Sequence, residues 1–381
     1  MSFKSFFCKM FVIEFKENMK ILNRIVVLLL IASITLSACG EVTQTPIPDT
    51  DEVSPIDLQA GYGIRGSWFE LYMTNPDSPL SPQGTGGIDA PLVKALDEAR
   101  LSIDVAAYSI SLNSVRFALI RAHERGVTVR MVMESNNMDR SDVQYLLEAG
   151  VPIIGDNRAG LMHDKFIVID RSEVWLGSMN FTDSGTYEDN NNMIRIRSTK
   201  IAENFSVEFN EMYVDDRFGP DVVAQTPNPE ITLDGTRVDT YFSPDDGVLT
   251  VLYNLLAEAE KSIYFLAFSF TSNELGAIVR GQAKAGLDIK GVMDREQVAS
   301  NTGTEFDPFR QAELDVYIDG IDGQMHHKVF IVDEKIVVMG SYNFSRAAEE
   351  RNDETIVIIY NEQIAKFFID EFERVYERAE R

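Results

Sequence analysis

From about residue 57 to the end of the chain, segments with apolar residues at helical spacing alternate with short continuous apolar runs. Helical spacing predicts helices, and short apolar runs predict buried strands. In the first half, the predicted helices cover 92–99, 114–124 and 141–149, and the predicted strands cover 102–107, 127–133, 165–169 and 174–176. In the second half, the predicted helices cover 252–259 and 275–284, and the strands cover 262–267, 288–293, 329–332 and 336–339.

The order of elements is the same in both halves, which indicates a repeated α/β unit. Helices that alternate with short apolar strands predict a mostly parallel mixed sheet with helices on both faces. The polar run 226–230 contains Pro227 and Pro229 and marks the junction. We therefore expect two fused domains, 57–225 and 230–381, rather than a solenoid.

Three loops rich in Gly, Pro, Ser and Asn lie at 75–87, 134–140 and 298–308. Such loops either form the rim of a binding site or only connect elements, and the sequence leaves both readings open.

The first 56 residues have a different pattern from the repeats. Read from Met19, a short basic segment precedes an apolar run at 25–36, which ends in Leu-Ser-Ala-Cys39. This stretch resembles a bacterial lipoprotein signal, which implies cleavage before Cys39 and lipidation of its sulfur. An uncleaved anchor and an ordinary signal peptide are the alternatives. We expect a signal region at 1–38 with its true start at Met19.

The lipoprotein resemblance also implies a location. A lipidated tether at 39–56, rich in Thr, Pro and acidic residues, would join the membrane to the first repeat. The protein would then lie outside the cytoplasm, anchored by lipid to a bacterial membrane. Because Gly40 follows the cysteine, this would be the outer membrane in a two-membrane organism.

Charge and cysteine content narrow the function classes. The formal charge is −25, and it becomes −28 when residues 1–38, with five basic and two acidic residues, are removed. Such an acidic chain argues against a nucleic-acid backbone as partner, although a local basic pocket can sit inside an acidic surface. The only cysteines, Cys8 and Cys39, precede the repeats, so no disulfide framework or cysteine-based metal site supports the fold.

Two stretches with identical spacing carry the candidate chemistry. The first has His163, Lys165 and Asp170 followed by Gly-Ser-Met-Asn, and the second has His326, Lys328 and Asp333 followed by Gly-Ser-Tyr-Asn. Three of the four histidines of the chain fall in them. Strand alternation places each His and its Lys on one face, which suits an anion bound between them. The residues after the Gly turn, Ser178, Asn180, Ser341 and Asn343, can donate hydrogen bonds to the same anion.

For one copy alone, each His and Lys could simply lie at an exposed strand end. Two copies with the same downstream spacing make that interpretation far weaker. Both stretches match the His-x-Lys-x4-Asp-x6-Gly-Ser-x-Asn motif and resemble the phospholipase D superfamily. The resemblance implies two α/β units related by pseudo-twofold symmetry, with one active site between the motifs. One His would attack phosphorus to form a phosphohistidine, and the other would protonate the leaving group. The Lys, Ser and Asn residues would hold the phosphoryl oxygens, with no metal or other cofactor.

The resemblance carries these roles to His163, Lys165, His326 and Lys328. By family habit His163 is the nucleophile, which the sequence alone does not decide. Asp170 and Asp333 enter the candidate catalytic set as motif members. Their odd offset from the histidines favours the opposite strand face and a structural role.

The family also implies a downstream carboxylate that orients each His. Glu354 fits in the second copy, but its counterpart in the first copy is Asn191. We therefore expect the first His to lack its partner unless Asp189 or Glu188 reaches it. An amide stabilises an imidazolium poorly, so the two histidines would be tuned differently.

The resemblance leaves the substrate open. Hydrolysis of phospholipid headgroup phosphodiesters is favoured by the membrane tether and the acidic charge, in a monomer that holds both motifs. A surface endonuclease that acts on DNA or RNA is the alternative, since the second motif resembles bacterial nuclease-type members. A phosphatidyltransferase and a degenerate binding protein are further possibilities.

Overall fold

Each sequence repeat builds one mixed β-sheet in the computed structural model, which describes residues 53–380. The first sheet contains β1 (Ser54–Leu58), β2 (Gly61–Arg65), β3 (Phe69–Thr74), β4 (Ser102–Ala107), β5 (Thr128–Met133), β6 (Ile153–Gly155), β7 (Lys165–Ile169), β8 (Glu173–Gly177) and β9 (Asn192–Arg197). Its strand order is β1-β2-β3-β9-β8-β7-β4-β5-β6.

The second sheet repeats this plan with one strand fewer at its first edge. It contains β10 (Glu230–Leu233), β11 (Thr236–Ser243), β12 (Ser262–Ala267), β13 (Asp288–Met293), β14 (Asp315–Ile318), β15 (Lys328–Val332), β16 (Ile336–Gly340) and β17 (Glu354–Tyr360). Its strand order is β10-β11-β17-β16-β15-β12-β13-β14. The motif strands β7 and β15 therefore lie in the interior of their sheets.

Helices cover both faces of each sheet. They are α1 (Asp89–Glu98), α2 (Asn113–Glu124), α3 (Ser141–Glu148), α4 (Asp183–Tyr187) and α5 (Thr199–Tyr213) in the first repeat, and α6 (Val248–Ala257), α7 (Asn273–Ala285), α8 (Arg295–Ser300), α9 (Phe306–Gln311), α10 (Arg346–Glu350) and α11 (Glu362–Arg378) in the second. Short 3-10 turns lie at Ser81–Gln83, Ser135–Asn137 and Gly219–Asp221.

One hydrophobic core is shared by the two repeats. It joins the inner faces of both sheets to α5 and α11, through side chains such as Phe166, Phe205, Val329 and Phe372. Each outer face packs separately, on α1–α3 in the first repeat and on α6–α7 in the second. Successive residues of β7 enter different cores, so both faces of the strand are covered. This explains its continuous apolar run, because a strand buried on both faces needs apolar residues at every position.

The predicted α/β class with two mixed sheets flanked by helices is confirmed. The sheets are less parallel than the sequence pattern predicts, because parallel pairing is confined to β4–β5–β6 and β12–β13–β14. All other strand pairs in the described residues are antiparallel, including those of the motif strands.

The start of the fold also differs from expectation. Residues 54–56, which composition assigns to the tether, instead begin β1, and Ile56 is buried. The signal region 1–38, the start at Met19, Cys39 and the tether up to 52 lie outside the described residues. Within 53–380, no helix combines the length and hydrophobicity needed to cross a bilayer. The domain boundaries at 225 and 230 stay a prediction.

Candidate active site

The two motif histidines lie just before β7 and β15, where the repeats meet. The backbone N–H of His163 donates to the carbonyl of Asp353 at 3.0 Å, and that of His326 donates to Asn190 at 3.0 Å. Each His is therefore fixed by the opposite repeat. The charge of Lys328 also lowers the pKa of His163, which places the two motifs close enough to form one site.

The orienting partners cross between the repeats. His163 Nδ1 lies 2.7 Å from Glu354 Oε2, and His326 Nδ1 lies 2.9 Å from Asn191 Oδ1. The expectation that Glu354 serves the His of its own repeat, and that His163 lacks a carboxylate, is wrong. The reason is geometric, because the residues just before β9 and β17 pair with the opposite repeat, in the bridges Asn190–Met325 and Met162–Asp353.

The amide of Asn191 has a fixed orientation. Its Nδ2 donates to the carbonyl of Gly185 at 2.9 Å, and its Oδ1 accepts from Ser178 Oγ at 2.8 Å. The Oδ1 is thus the atom that faces His326, whose Nδ1 must carry the proton. The Nε2 of His326 is left for chemistry.

Glu354 is held in the matching way. Its Oε2 accepts from Ser341 Oγ at 2.8 Å and its Oε1 from Asn352 Nδ2 at 3.2 Å. Ser178 and Ser341, predicted to bind substrate, instead support the two partners of the histidines. Each hydroxyl also accepts a backbone N–H, from Asn192 and Thr355 respectively, so neither is free for a phosphoryl oxygen.

The predicted Lys residues lie in the site beside the two histidines. Lys165 Nζ donates to the carbonyl of His163 at 2.6 Å, and Lys328 Nζ donates to that of His326 at 2.7 Å. This leaves further ammonium protons on each Lys. The Oδ1 atoms of Asn180 and Asn343 are buried with no hydrogen-bond partner in the described residues. No hydrogen bond to Oδ1 therefore fixes the orientation of either amide.

One aromatic residue packs on each His–Lys pair, and sequence reasoning missed both. The Tyr108 ring lies 5.0 Å from the His163 ring and 5.2 Å from Lys165 Nζ. The Phe268 ring lies 4.5 Å from the His326 ring and 4.5 Å from Lys328 Nζ. Their signal in the sequence is a shared position, since each follows the predicted strand beside the motif strand.

Both repeats match the family model described as "Cardiolipin synthase, PLD-like domain", over residues 92–213 and 252–376. The chain belongs to the phospholipase D superfamily. It is 31% identical over 137 residues to a phospholipase D of Rickettsia typhi, an alignment that covers 36% of this chain and 67% of the relative. It is 32% identical over 133 residues to the mitochondrial cardiolipin hydrolase of Homo sapiens, covering 35% of this chain and 52% of that one.

A solved structure supports the arrangement of both repeats. The phosphatidylserine synthase of Haemophilus influenzae superimposes with a TM-score of 0.57 at 13% identity, over 86% of each chain. At this identity the likeness concerns the fold. With the motif and the family match, the chain is a phosphodiester hydrolase of the phospholipase D superfamily.

The site is buried and electropositive before an anion binds. Burial and the two Lys charges lower the pKa of both His163 and His326. Burial lowers the pKa of Lys165 to about 8 and also lowers that of Lys328. Burial raises the pKa of Glu354 to about 7, against the opposing effect of the Lys charges. A phosphodiester anion between the ammonium groups would offset their mutual repulsion.

Asp170 and Asp333, carried in the predicted catalytic set, do not touch the site. Asp170 caps the turn before β4, where its carboxylate accepts from the backbone N–H groups of residues 100–102. Asp333 does the same for residues 260–262. Both have positive φ, 51° and 55°, as residues that end a strand in a tight turn. They are structural.

Asp189, a predicted His-orienting residue, contacts neither His. Its Oδ1 accepts from the backbone N–H of Gln324 at 2.9 Å, which joins the repeats beside the site. Two other carboxylates, which sequence reasoning missed, steady the chain before each His. Glu134 and Asp294 accept the backbone N–H groups of Met162 and Met325, each at 3.1 Å. Both acids directly follow a predicted strand in equivalent places.

Among residues 53–380, no group of three or more His, Cys, Asp or Glu has the arrangement of a metal site.

Proposed function

We propose that this protein hydrolyses phospholipid headgroup phosphodiesters through a phosphohistidine on His163. The observation that carries the proposal is the crossed pair of partners, a carboxylate on His163 and an amide on His326. The phosphodiester lies between the two ammonium groups, with the Asn180 and Asn343 amides as donors. Burial from water strengthens these interactions as negative charge builds on the phosphoryl oxygens.

The first step places positive charge on His163. Its Nε2 attacks phosphorus while Nδ1–H stays bonded to Glu354, whose carboxylate offsets the charge of the phosphorylated ring. The P–O bond to the leaving group breaks, and His326, which is protonated on both ring nitrogens while the substrate anion is bound, gives that oxygen its Nε2 proton. An imidazolium beside a neutral amide is a stronger acid than one beside a carboxylate, which suits His326 to proton donation.

The second step returns the enzyme to its starting state. His326, now neutral, takes a proton from water at Nε2 as the water oxygen bonds to phosphorus. The P–N bond breaks, and His163 regains its neutral imidazole with Nδ1–H still bonded to Glu354. Both partners thus keep one tautomer throughout, so no side chain has to turn during catalysis.

Three observations support a phospholipid substrate. The named relatives are a phospholipase D and a cardiolipin hydrolase. The chain carries a formal charge of −25, which opposes binding of a nucleic-acid backbone. The stretch that ends at Cys39 has the features of a lipoprotein signal, and a lipid anchor there would hold the enzyme outside the cytoplasm at its substrate. Both motifs lie in one chain, so a monomer suffices for the site.

The test uses the chain from Gly40 with chelator present. Phosphatidylcholine vesicles and single- and double-stranded DNA are offered side by side. Choline release with intact DNA supports the proposal, whereas cut DNA with untouched vesicles would make the protein a nuclease. His163→Asn should lower turnover by at least about 10³-fold, as loss of a covalent nucleophile does. His123→Asn, at a partly exposed histidine of α2, is the matched control and should turn over normally.

A further inference from the structure

Two walls with equivalent contacts but different chemistry extend from the aromatic rings that pack on the two histidines. The first wall is Tyr108, Ser109 and Arg140, in which Arg140 Nη1 lies 3.4 Å from Ser109 Oγ. The second wall is Phe268, Ser269 and Asn301, in which Asn301 Nδ2 donates to Ser269 Oγ at 3.0 Å. The first wall therefore presents a phenol and an exposed guanidinium, and the second a phenyl ring and a carboxamide.

The second wall has a free acceptor. Asn301 Nδ2 donates to both Ser269 Oγ and Gln297 Oε1, each at 3.0 Å, which fixes the amide. No group among residues 53–380 donates to its Oδ1, and the residue is only partly buried. A hydroxyl group that enters beside Phe268 would find this oxygen as a hydrogen-bond acceptor.

In-line displacement decides which part of the substrate meets this wall. The attacking and leaving atoms lie on opposite sides of phosphorus. With His163 as nucleophile, the leaving oxygen lies towards His326, which gives it a proton as the P–O bond breaks. The ring beyond His326 is Phe268. The leaving alcohol therefore departs along the second wall.

The acceptor must enter by the same route. In the second step its O–H proton passes to His326, its oxygen bonds to phosphorus and the P–N bond to His163 breaks. By microscopic reversibility this path retraces the exit of the leaving group. Water and a competing alcohol thus meet the same three side chains.

We propose that Phe268, Ser269 and Asn301 form the subsite for the leaving group and the acceptor. This wall then determines how far the phosphoenzyme partitions between water and an alcohol, that is, between hydrolysis and transfer. Asn301 Oδ1 accepts the second hydroxyl of a small polyol, and Phe268 packs on its carbon skeleton. The inference rests on the proposed function, because it takes His163 as the nucleophile.

The experiment measures partitioning rather than overall rate. Bis(p-nitrophenyl) phosphate serves as a substrate independent of lipid or DNA, and glycerol is the added acceptor. The products p-nitrophenyl phosphate and glyceryl p-nitrophenyl phosphate report hydrolysis and transfer. Their ratio depends only on steps after the phosphoenzyme forms, so an altered affinity for the first substrate does not move it.

Asn301→Ala should lower the transfer-to-hydrolysis ratio by about three- to tenfold, the effect of one lost hydrogen bond. Arg140→Ala, at the equivalent place on the first wall, should leave the ratio unchanged. An unchanged ratio in Asn301→Ala, or a shift confined to Arg140→Ala, would overturn the proposal. The latter would put the acceptor on the His163 side.

A second pair of variants, each conservative, tests the proposal even if Asn301→Ala fails to fold. Phe268→Tyr gives the second wall the residue found on the first, and Tyr108→Phe makes the reverse exchange. The ratio should shift in Phe268→Tyr only, and a shift in neither variant contradicts the inference. Failure of the proposed function shows differently, as no release of p-nitrophenol by wild type or full release by His163→Asn.

Discussion

The layers beneath the two motif strands differ in charge although their backbones correspond. In the second repeat, His327 accepts from Asn192 Nδ2 at 2.8 Å and donates to Glu371 at 2.9 Å. Arg374 completes this layer with two hydrogen bonds of 2.8 Å to Glu371. Burial opposes ionisation of Glu371, but His327 and Arg374 lower its pKa to about 2. The carboxylate is neutralised by its partners.

The first repeat has acids in the equivalent places. Asp164 stands where His327 stands, Glu208 corresponds to Glu371, and Glu211 corresponds to Arg374. Asp164 accepts from Thr355, but its Oδ2 has no partner in the described residues. Burial raises the pKa of Asp164 to about 7 and, with nearby acids, raises that of Glu208 further from its ordinary value. Burial thus favours the protonated forms of Asp164 and Glu208, whereas the second repeat pairs its buried carboxylate with the cation of Arg374.

The comparison shows which positions the chemistry fixes. The reacting His and Lys residues are the same in both repeats. Three pairs of supporting residues differ in charge, namely Asn191 and Glu354, Asp164 and His327, and Glu211 and Arg374. A single site between two repeats needs one His that tolerates a lasting positive charge and one that gives up a proton readily. Identical supports would make the two histidines equivalent.

Substitution of the crossed partners, Glu354 and Asn191, should have the largest effect on kcat. In the proposed mechanism Glu354→Gln removes the charge that stabilises the phosphorylated His163, and kcat should fall by about 10²- to 10⁴-fold, as when a triad carboxylate becomes an amide. Asn191→Ala removes only a neutral hydrogen bond, and kcat should fall by about tenfold. Steady-state kinetics on one substrate compares the two. Equal losses would mean that the partners are not asymmetric.

Breaking the neutralised layer should cost the most stability. Arg374→Met leaves Glu371 buried with one partner fewer, and the free energy of unfolding should fall by about 3–5 kcal/mol. Arg346→Met, which breaks an exposed pair with Glu350, is the control and should leave the free energy of unfolding almost unchanged. Urea unfolding measures both, and similar losses would contradict the role given to Arg374.

Truncation of the turn carboxylates separates structure from chemistry. Asp170→Ala and Asp333→Ala each free backbone N–H groups and should lower the free energy of unfolding by about 1–3 kcal/mol. The kcat of the folded enzyme should stay within about twofold of wild type, since neither carboxylate reaches the site. A large fall in kcat at unchanged stability would restore these residues to the catalytic set.

The protonated layer predicts a smaller, pH-dependent effect. Burial raises the pKa of Asp164 to about 7, so the stability contributed by its protonated form is present in acid and is lost as the pH rises through 7. Glu208→Gln should remove one buried acid and stabilise the protein by about 1 kcal/mol at alkaline pH relative to wild type. Unfolding of both proteins at about pH 5 and pH 8.5 tests this, and a Glu208→Gln variant less stable than wild type at about pH 8.5 would contradict it.

The sequence predicts most of the local structure. Strands at 102–107, 262–267 and 288–293 have the observed bounds, because each is a short apolar run between turn residues. The first sheet edge, β1–β3, and the helices α5 and α11 were not predicted. The edge strands have weak alternation and gain their order from long-range pairing. The two helices carry buried acids such as Glu208 and Glu371, which blur an apolar face.

The site is predicted in its reacting groups but not in its supports. His163 and Glu354 are 191 positions apart and meet only when the repeats pack, so spacing within one motif cannot reveal the crossing. The serines look like substrate ligands in sequence because hydroxyls suit both roles, and only the fold shows that theirs are already engaged.

We propose that the crossed partners make His163 the nucleophile of a shared site. Rapid quenching of wild type and His326→Asn during turnover of bis(p-nitrophenyl) phosphate, followed by peptide mass spectrometry, tests it most directly. The leaving group is good enough to depart with little acid assistance, so the phosphoenzyme should accumulate in His326→Asn. We expect an acid-labile p-nitrophenylphosphoryl group on His163. The same group on His326 of wild type would contradict the proposed mechanism.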